Sequence, residues 1–149
     1  MAFMLLTGLN NIDAERAFAR VQRRRRRAAL SRRLRGEPAR AGLPVYDGRA
    51  LARPARLTRR GRGEIPLCAI RGTLEPSRAR SFDAAFRPVP AAGRRWQRLW
   101  IAEQRGAVLP PISVVPVEDG YAVRDGHHRV SVALARGAGA IDAVVDAAA

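Results

Sequence analysis

The chain has 149 residues, about the length of one domain, with 28 basic residues against 13 acidic ones, a net charge of +15 and a pI near 11.8. A single Cys excludes a disulfide scaffold, 13 Gly exclude a collagen repeat, and no heptad pattern persists as a coiled-coil rod would require. No run reaches the ~18–20 consecutive apolar residues of a membrane-spanning helix.

Every basic residue is Arg, and the charge is uneven. Residues 1–63 hold 17 Arg and 4 acidic residues, a net of +13, whereas residues 64–149 hold 11 Arg and 9 acidic residues, a net of +2. A near-neutral C-terminal part thus follows a strongly basic stretch. Such asymmetry points to a polyanionic partner for the basic part. Met1 to Leu6 lacks the basic start and small-residue cleavage site of a secretory signal, and a cytoplasmic location is the default expectation.

In chain order, residues 11–36 read as one helix, with Asn11 or Asp13 as the cap and Gly36 ending it. Ala14, Ala17, Phe18 and Val21 form an apolar strip at helical spacing. Arg23, Arg24, Arg25, Arg26 and Arg27 then place charge around the whole circumference, so the middle of the helix cannot be buried and is expected to fray unless an anion is bound. Residues 37–63 are rich in Pro, Gly and Arg and read as a linker, with Leu43-Pro44-Val45-Tyr46 as a short extended piece. Residues 64–70 form the first expected strand. A loop over 71–80 precedes a short helical stretch opened by Ser81-Phe82-Asp83. A second helix covers 91–105, where Trp96, Leu99 and Trp100 share a core-facing side. Ile112 to Val117 and Tyr121 to Val123 make a hairpin about Asp119-Gly120. Residues 127–136 form a helix, 141–145 a last strand, and 147–149 a disordered tail. The expected fold is α+β, a small mixed sheet with packed helices, preceded by an Arg-rich helical extension. The expected division is 1–62 for the extension and linker and 63–146 for the domain.

The segment most able to do chemistry is Val123-Arg124-Asp125-Gly126-His127-His128-Arg129. It runs from strand through glycine to helix start. The first amides of a helix lack acceptors and sit at the positive end of its dipole. Gly126 lets an anion approach the backbone. Arg129 offers a forked donor suited to phosphate, and His127 and His128 offer further donors. These features describe a phosphate cradle. Asp125 either caps the helix, the favoured reading, or holds a metal or a ring nitrogen. Adjacent His side chains diverge by about 100° on a helix, and nothing nearby has ligand spacing, so no metal site is expected. A strand–glycine–helix junction also occurs in folds that bind nothing there.

These residues carry a resemblance. Leu109-Pro110-Pro111-Ile112-Ser113-Val114, then residues 120–133 around Asp125-Gly126-His127-His128-Arg129, then Gly137 and Ile141-Asp142-Ala143-Val144, resemble the N-terminal domain of ParB-like partition proteins and, more broadly, the ParB/sulfiredoxin superfamily. Ile65-Pro66-Leu67 is similar to the family's first strand, and residues 75–83 to its proline-and-arginine loop. The resemblance covers about residues 63–146. It implies a nucleotide-binding fold that takes CTP or another nucleoside triphosphate, with or without Mg2+. The family's Gly-Glu-Arg-Arg motif, which contacts the triphosphate, falls on Gly126, His127, His128 and Arg129, and the proline-and-arginine loop would bring Arg78 or Arg80 to the nucleotide. Two departures stand out. His127 replaces the motif's Glu, which bears on slow triphosphate hydrolysis. It also replaces the Cys of the sulfiredoxin Gly-Cys-His-Arg motif, while Cys68 lies on the first expected strand, so sulfinic-acid reduction is not expected. The helix-turn-helix domain of partition proteins is not evident after residue 146, so site-specific DNA reading is not expected of these residues.

The expected function is therefore nucleotide binding by a ParB-like domain, with non-specific nucleic-acid contact through Arg23 to Arg27. Neutralising about five phosphates would give a log–log salt slope near −4.5. The alternatives are a nuclease or nucleotidase of the same fold and a non-catalytic interaction module.

Overall fold

The computed structural model describes residues 2–38, 42–47 and 61–146, with side chains from Gly8 onward. Most of the linker expected over 37–63, and the tail 147–149, lie outside the described residues. The fold is α+β. Its elements are α1 (Ala2–Leu34), β1 (Gly61–Pro66), β2 (Ile70–Thr73), α2 (Pro76–Ala79), α3 (Gly93–Gln104), β3 (Ile112–Val117), β4 (Gly120–Asp125), α4 (His127–Ala135) and β5 (Ala140–Val145).

The strands form one mixed sheet in the order β1-β5-β3-β4-β2. β1 pairs with β5 and β3 with β4 antiparallel, whereas β3 pairs with β5 and β2 with β4 in parallel. The single strand expected over 64–70 is thus two strands on opposite edges, joined by a helical turn at Leu67–Ala69. In a flat five-stranded sheet those edges would lie about 19 Å apart. Four residue steps span at most about 14 Å, so the sheet must curl until its edges approach. Leu67 N–H donates to Gly139 O at 3.0 Å, tying the turn to the start of β5. Pro66 ends β1, where its missing amide costs no ladder bond.

The free edge of β2 is covered by the piece 43–46. Val45 bridges Thr73, Tyr46 N–H donates to Thr73 O, and Thr73 N–H donates to Pro44 O, the last two at 2.9 Å. This approach needs Gly72, since a Cβ there would lie 2.2 Å from Pro44 O. Leu43 enters the core below it.

Two apolar clusters result. The first lies between sheet and helices and includes Ile65, Leu67, Phe82, Ile112, Val114, Val123 and Val130. The second joins α1, α3 and α4 through Ala14, Ala17, Val21, Trp96, Trp100 and Val132. Trp96 is its centre: it is fully buried, Phe18 lies 5.5 Å away centroid to centroid, and its indole N–H donates to Ser131 Oγ at 2.9 Å.

The long helix departs from expectation at its start. It begins at Ala2 and not at Asn11, so Asn11 and Asp13 sit inside it and cap nothing. The apolar residues before Asn11 extend helical backbone where no Pro or Gly pair stops it. The helix also runs unbroken through Arg23 to Arg27. Its strip is anchored on α3, and Gln22 Nε2 donates to Pro88 O at 2.7 Å. Its end is as expected. Gly36 is left-handed, Gly36 N–H donates to Arg33 O and Glu37 N–H to Arg32 O, which together satisfy the last carbonyls in a Schellman motif.

The helical stretch expected from Ser81 is instead a tight turn. Asp83 Oδ1 accepts the amides of Ala85 and Arg87, each at 2.9 Å, and Oδ2 lies 2.9 Å from Arg87 Nε. A buried carboxylate that holds the backbone this way competes with helix. Arg87 also donates to Arg24 O, which fastens the turn to α1.

Candidate functional site

The β4–α4 junction forms at Gly126, as the strand–glycine–helix order requires. Gly126 is the residue before the helix, in the left-handed region at φ 104°. A Cβ there would also meet Ile112 Cγ2 at 2.5 Å, so both backbone and space demand glycine. The amides of His127, His128 and Arg129 follow it at the helix's positive end, ahead of Val130 N–H, which donates to Gly126 O.

Asp125 is not the cap. No side chain caps α4, and Asp125 Oδ2 instead takes Arg129 Nη2–H at 2.8 Å, one turn on. Arg129 is a brace before it is a ligand donor. Its Nη1 donates to Pro110 O and, at 2.7 Å, to Pro111 O. Three of the guanidinium's five N–H groups are thus engaged, and its side chain is 15% exposed. The brace fixes the Pro110-Pro111 segment that leads into β3 against the start of α4. Arg129→Ala is expected to cost about 2 kcal/mol, read as a lower urea midpoint. Arg129→Lys should fail to restore it, because one ammonium cannot span two carbonyls and a carboxylate. An unchanged midpoint in Arg129→Ala would remove the brace from the account.

His127 and His128 are both buried. His127 stacks on Phe82 at 6.1 Å, and His128 meets the same ring edge-on at 5.0 Å. His127 Nε2 lies 2.7 Å from Thr73 Oγ1, which also accepts Glu75 N–H at 2.9 Å and faces Val123 O at 3.2 Å. A hydroxyl has one proton. That proton goes to Val123 O when Nε2–H donates to Oγ1, or to Nε2 in the other ring tautomer, Val123 O then keeping Leu74 N–H.

Burial, then the positive charge of Arg78, lowers the His127 pKa to about 4, against a smaller opposing pull from Asp125. Burial, then Arg95 and Arg78, lowers that of His128 to about 4. Both rings are therefore neutral at pH 7. Their folded pKa values lie below the unfolded value of about 6.5, so the unfolded chain binds more protons between the two. The stabilisation is complete above pH 6.5 and is lost as pH falls through 4. A decline on the order of 2 kcal/mol per ring is expected after solvent screening. Urea unfolding at pH 7, 5.5 and 4.5 measures it, and a flat profile across that range would contradict the burial of neutral rings.

The junction opens onto a cavity of about 60 Å³ lined by Arg78, Arg95, Leu99, Asp125, Gly126, His127, His128 and Arg129. Of the two arginines expected from the loop, Arg78 joins this cavity. Arg80 does not: it lines a different one, with Arg25 and Arg26 of α1. The α2 turn between them sends two residues of nearly adjacent number to different places. Ser131 also faces away, as the acceptor for Trp96. Cys68 lies exposed in the turn between β1 and β2, outside the residues lining this cavity.

Arg95, Thr73 and Phe82 escape a reading of the sequence as site residues. Arg95 precedes Trp96 on α3 and reaches the junction only because α3 packs on α4. The spacing of Arg95 and Leu99, four apart on one helix face, was the available signal. Arg78 and Arg95 have no carboxylate partner among the described residues, and both are exposed. The arrangement therefore brings two guanidiniums without carboxylate partners among the described residues beside the first residues of α4.

Among the described residues, no three His, Cys, Asp or Glu gather as a metal site. Asp125 is the carboxylate nearest the junction, and Arg129 holds it. Arg23, Arg24, Arg26 and Arg27 are exposed along α1 and Arg25 is half-buried. No described helix is long and apolar enough to cross a membrane, α1 included.

No family model matches the chain, and no curated protein matches it. Among solved structures, it is similar to sulfiredoxin from Arabidopsis thaliana, at 24% identity and a TM-score of 0.43, over 58% of this chain and 84% of that one.

Proposed function

We propose that this chain is a ParB/sulfiredoxin-like module that binds the phosphoryl end of a nucleotide, CTP or another nucleoside triphosphate, at the amino end of α4, while the Arg-rich α1 contacts nucleic acid without sequence preference. One observation carries the reading. Arg78 from α2 and Arg95 from α3, both without a carboxylate partner among the described residues, converge on the amides that follow Gly126. Anions bind at such helix starts because unpaired N–H groups and the dipole act together. The guanidiniums add charge-assisted hydrogen bonds.

The residues fit a phosphoryl group. A cavity of about 60 Å³ is well below the ~300 Å³ of a pocket that encloses a whole ligand. The site therefore grips one end of the triphosphate and leaves sugar and base on the surface near Arg95 and Leu99. The neutral imidazoles shape the floor of the cradle and carry no charge of their own at pH 7. A Mg2+ ion carried by the nucleotide would neutralise the other phosphates. Here Asp125 lines the cavity, and its Oδ1 would meet that ion while Oδ2 keeps the Arg129 contact.

Isothermal titration with CTP, ATP, GTP and UTP, each with and without Mg2+, tests the reading. Saturable heat and a raised melting temperature with at least one of them is the expected result. No heat and no thermal shift with any of the four removes the proposal.

A further inference from the structure

The Arg run of α1 is not uniform. Arg25, Arg26 and Arg32, on one side of the helix, line a cavity of about 380 Å³ together with Arg80 from the segment after α2. The carboxylate lining it is Asp83, whose oxygens are already taken by two backbone amides and the Arg87 guanidinium. Three arginines of α1 and Arg80 thus line one concavity with no free counter-charge among the residues that line it. Arg25 is half-buried along this wall, which holds its charge near the concavity. Like charges gathered in a concavity focus a positive field. Phe82 forms part of the wall, and the same ring packs on His127 and His128.

We propose that Arg25, Arg26, Arg32 and Arg80 form the seat for the backbone phosphates of a nucleic-acid strand. This deepens the nucleic-acid part of the function proposed above and rests on it. An extended strand fits the observations better than a compact polyphosphate. The cavity lies beside a helix that continues the positive charge outward through Arg23, Arg27 and Arg33, all exposed. Successive phosphates would leave the seat along that surface. Contact to phosphates alone carries no sequence information, so binding is expected to be indifferent to base order.

The test compares two double variants that each remove two exposed charges from the full chain. Arg26→Ala with Arg80→Ala empties half of the seat. Arg98→Ala with Arg105→Ala removes the same charge from exposed positions outside both the seat and α1. Fluorescence anisotropy with a labelled 20-nucleotide single strand, run between 50 and 200 mM salt, reads affinity and salt slope. The seat variant is expected to bind about tenfold more weakly and to lose about 1.4 from the slope, at ~0.7 per phosphate contact on a single strand. The control pair should change affinity less than about threefold. Circular dichroism melts establish that both variants fold. Equal losses in the two pairs would leave binding to the net charge of the chain and overturn the seat. No binding by the unmodified chain would overturn the nucleic-acid reading itself, and the seat with it, without touching the nucleotide site at α4. Displacement of the strand by tripolyphosphate at equal phosphate concentration would assign the cavity to a compact polyanion and overturn the proposal as stated.

Discussion

Trp96→Ala is expected to lower the unfolding free energy by about 4 kcal/mol and the melting temperature by about 12 °C. Three terms act together. The indole is fully buried among α1, α3 and α4, so its loss leaves a cavity that three helices cannot close without moving. Its ring contact with Phe18 of α1 disappears. Its N–H no longer reaches Ser131 Oγ, and a buried hydroxyl loses its donor. Trp96→Phe separates these terms: it keeps most of the apolar area and loses the hydrogen bond, at about 1 kcal/mol. Because α1 is held mainly by this cluster, the alanine variant should also lose helical signal at a temperature where the sheet remains folded. Far-UV circular dichroism against temperature measures both effects. A melting point within about 3 °C of the parent would show that α1 is attached by other contacts.

The largest functional effect is expected from Arg78→Ala combined with Arg95→Ala. Each guanidinium should contribute about 1.5–3 kcal/mol to a phosphate through charge-assisted hydrogen bonds. Losing both should weaken nucleotide affinity by 100-fold or more, read by calorimetry. Both side chains are exposed and neither is ion-paired among the described residues, so the melting temperature of the free protein should hardly change. Removing these charges also removes the repulsion that helps to lower the His127 and His128 pKa values, which should rise toward their ordinary range. That rise, followed by NMR titration of the ring protons, reports the two arginines' proximity to the junction even before a ligand is added. Retained nucleotide affinity in the double variant would place any binding elsewhere.

The Arg129 brace and the arginine pair divide a task that a sequence pattern assigns to one residue. Arg129 sits in the position expected of a phosphate ligand, yet its nearest acceptors are two carbonyls and a carboxylate of its own chain. It orients the junction, and the free charge comes from Arg78 and Arg95. The geometry of the junction is held by Arg129 through these acceptors and by Gly126 within the turn.

Much of the architecture was legible because it is local. The hairpin from Ile112 to Asp125 follows from two apolar runs on either side of a turn that tolerates positive φ. The start of α4 follows from Gly126, and the buried face of α3 from Trp96 and Trp100 four residues apart. The end of α1 at Gly36 follows from a residue that can turn left-handed. In each case neighbouring residues supply both the pattern and the reason for it. The composition likewise establishes, without any coordinates, that positive charge is concentrated before residue 63.

What only the tertiary structure decided are relations between residues distant in the chain. Ile65, Leu67 and Ile70 announce apolar backbone, but nothing in their spacing says that the chain turns at Leu67 and supplies both edges of a curled sheet. Arg78 and Arg80 are alike in sequence, and the short α2 separates their destinations. Asp125 could cap or pair, and the choice went to Arg129 because that guanidinium is already held by Pro110 and Pro111. Periodicity and turn chemistry act over a few residues, whereas strand order, ion-pair choice and the meeting of α3 with α4 depend on where the whole chain closes on itself.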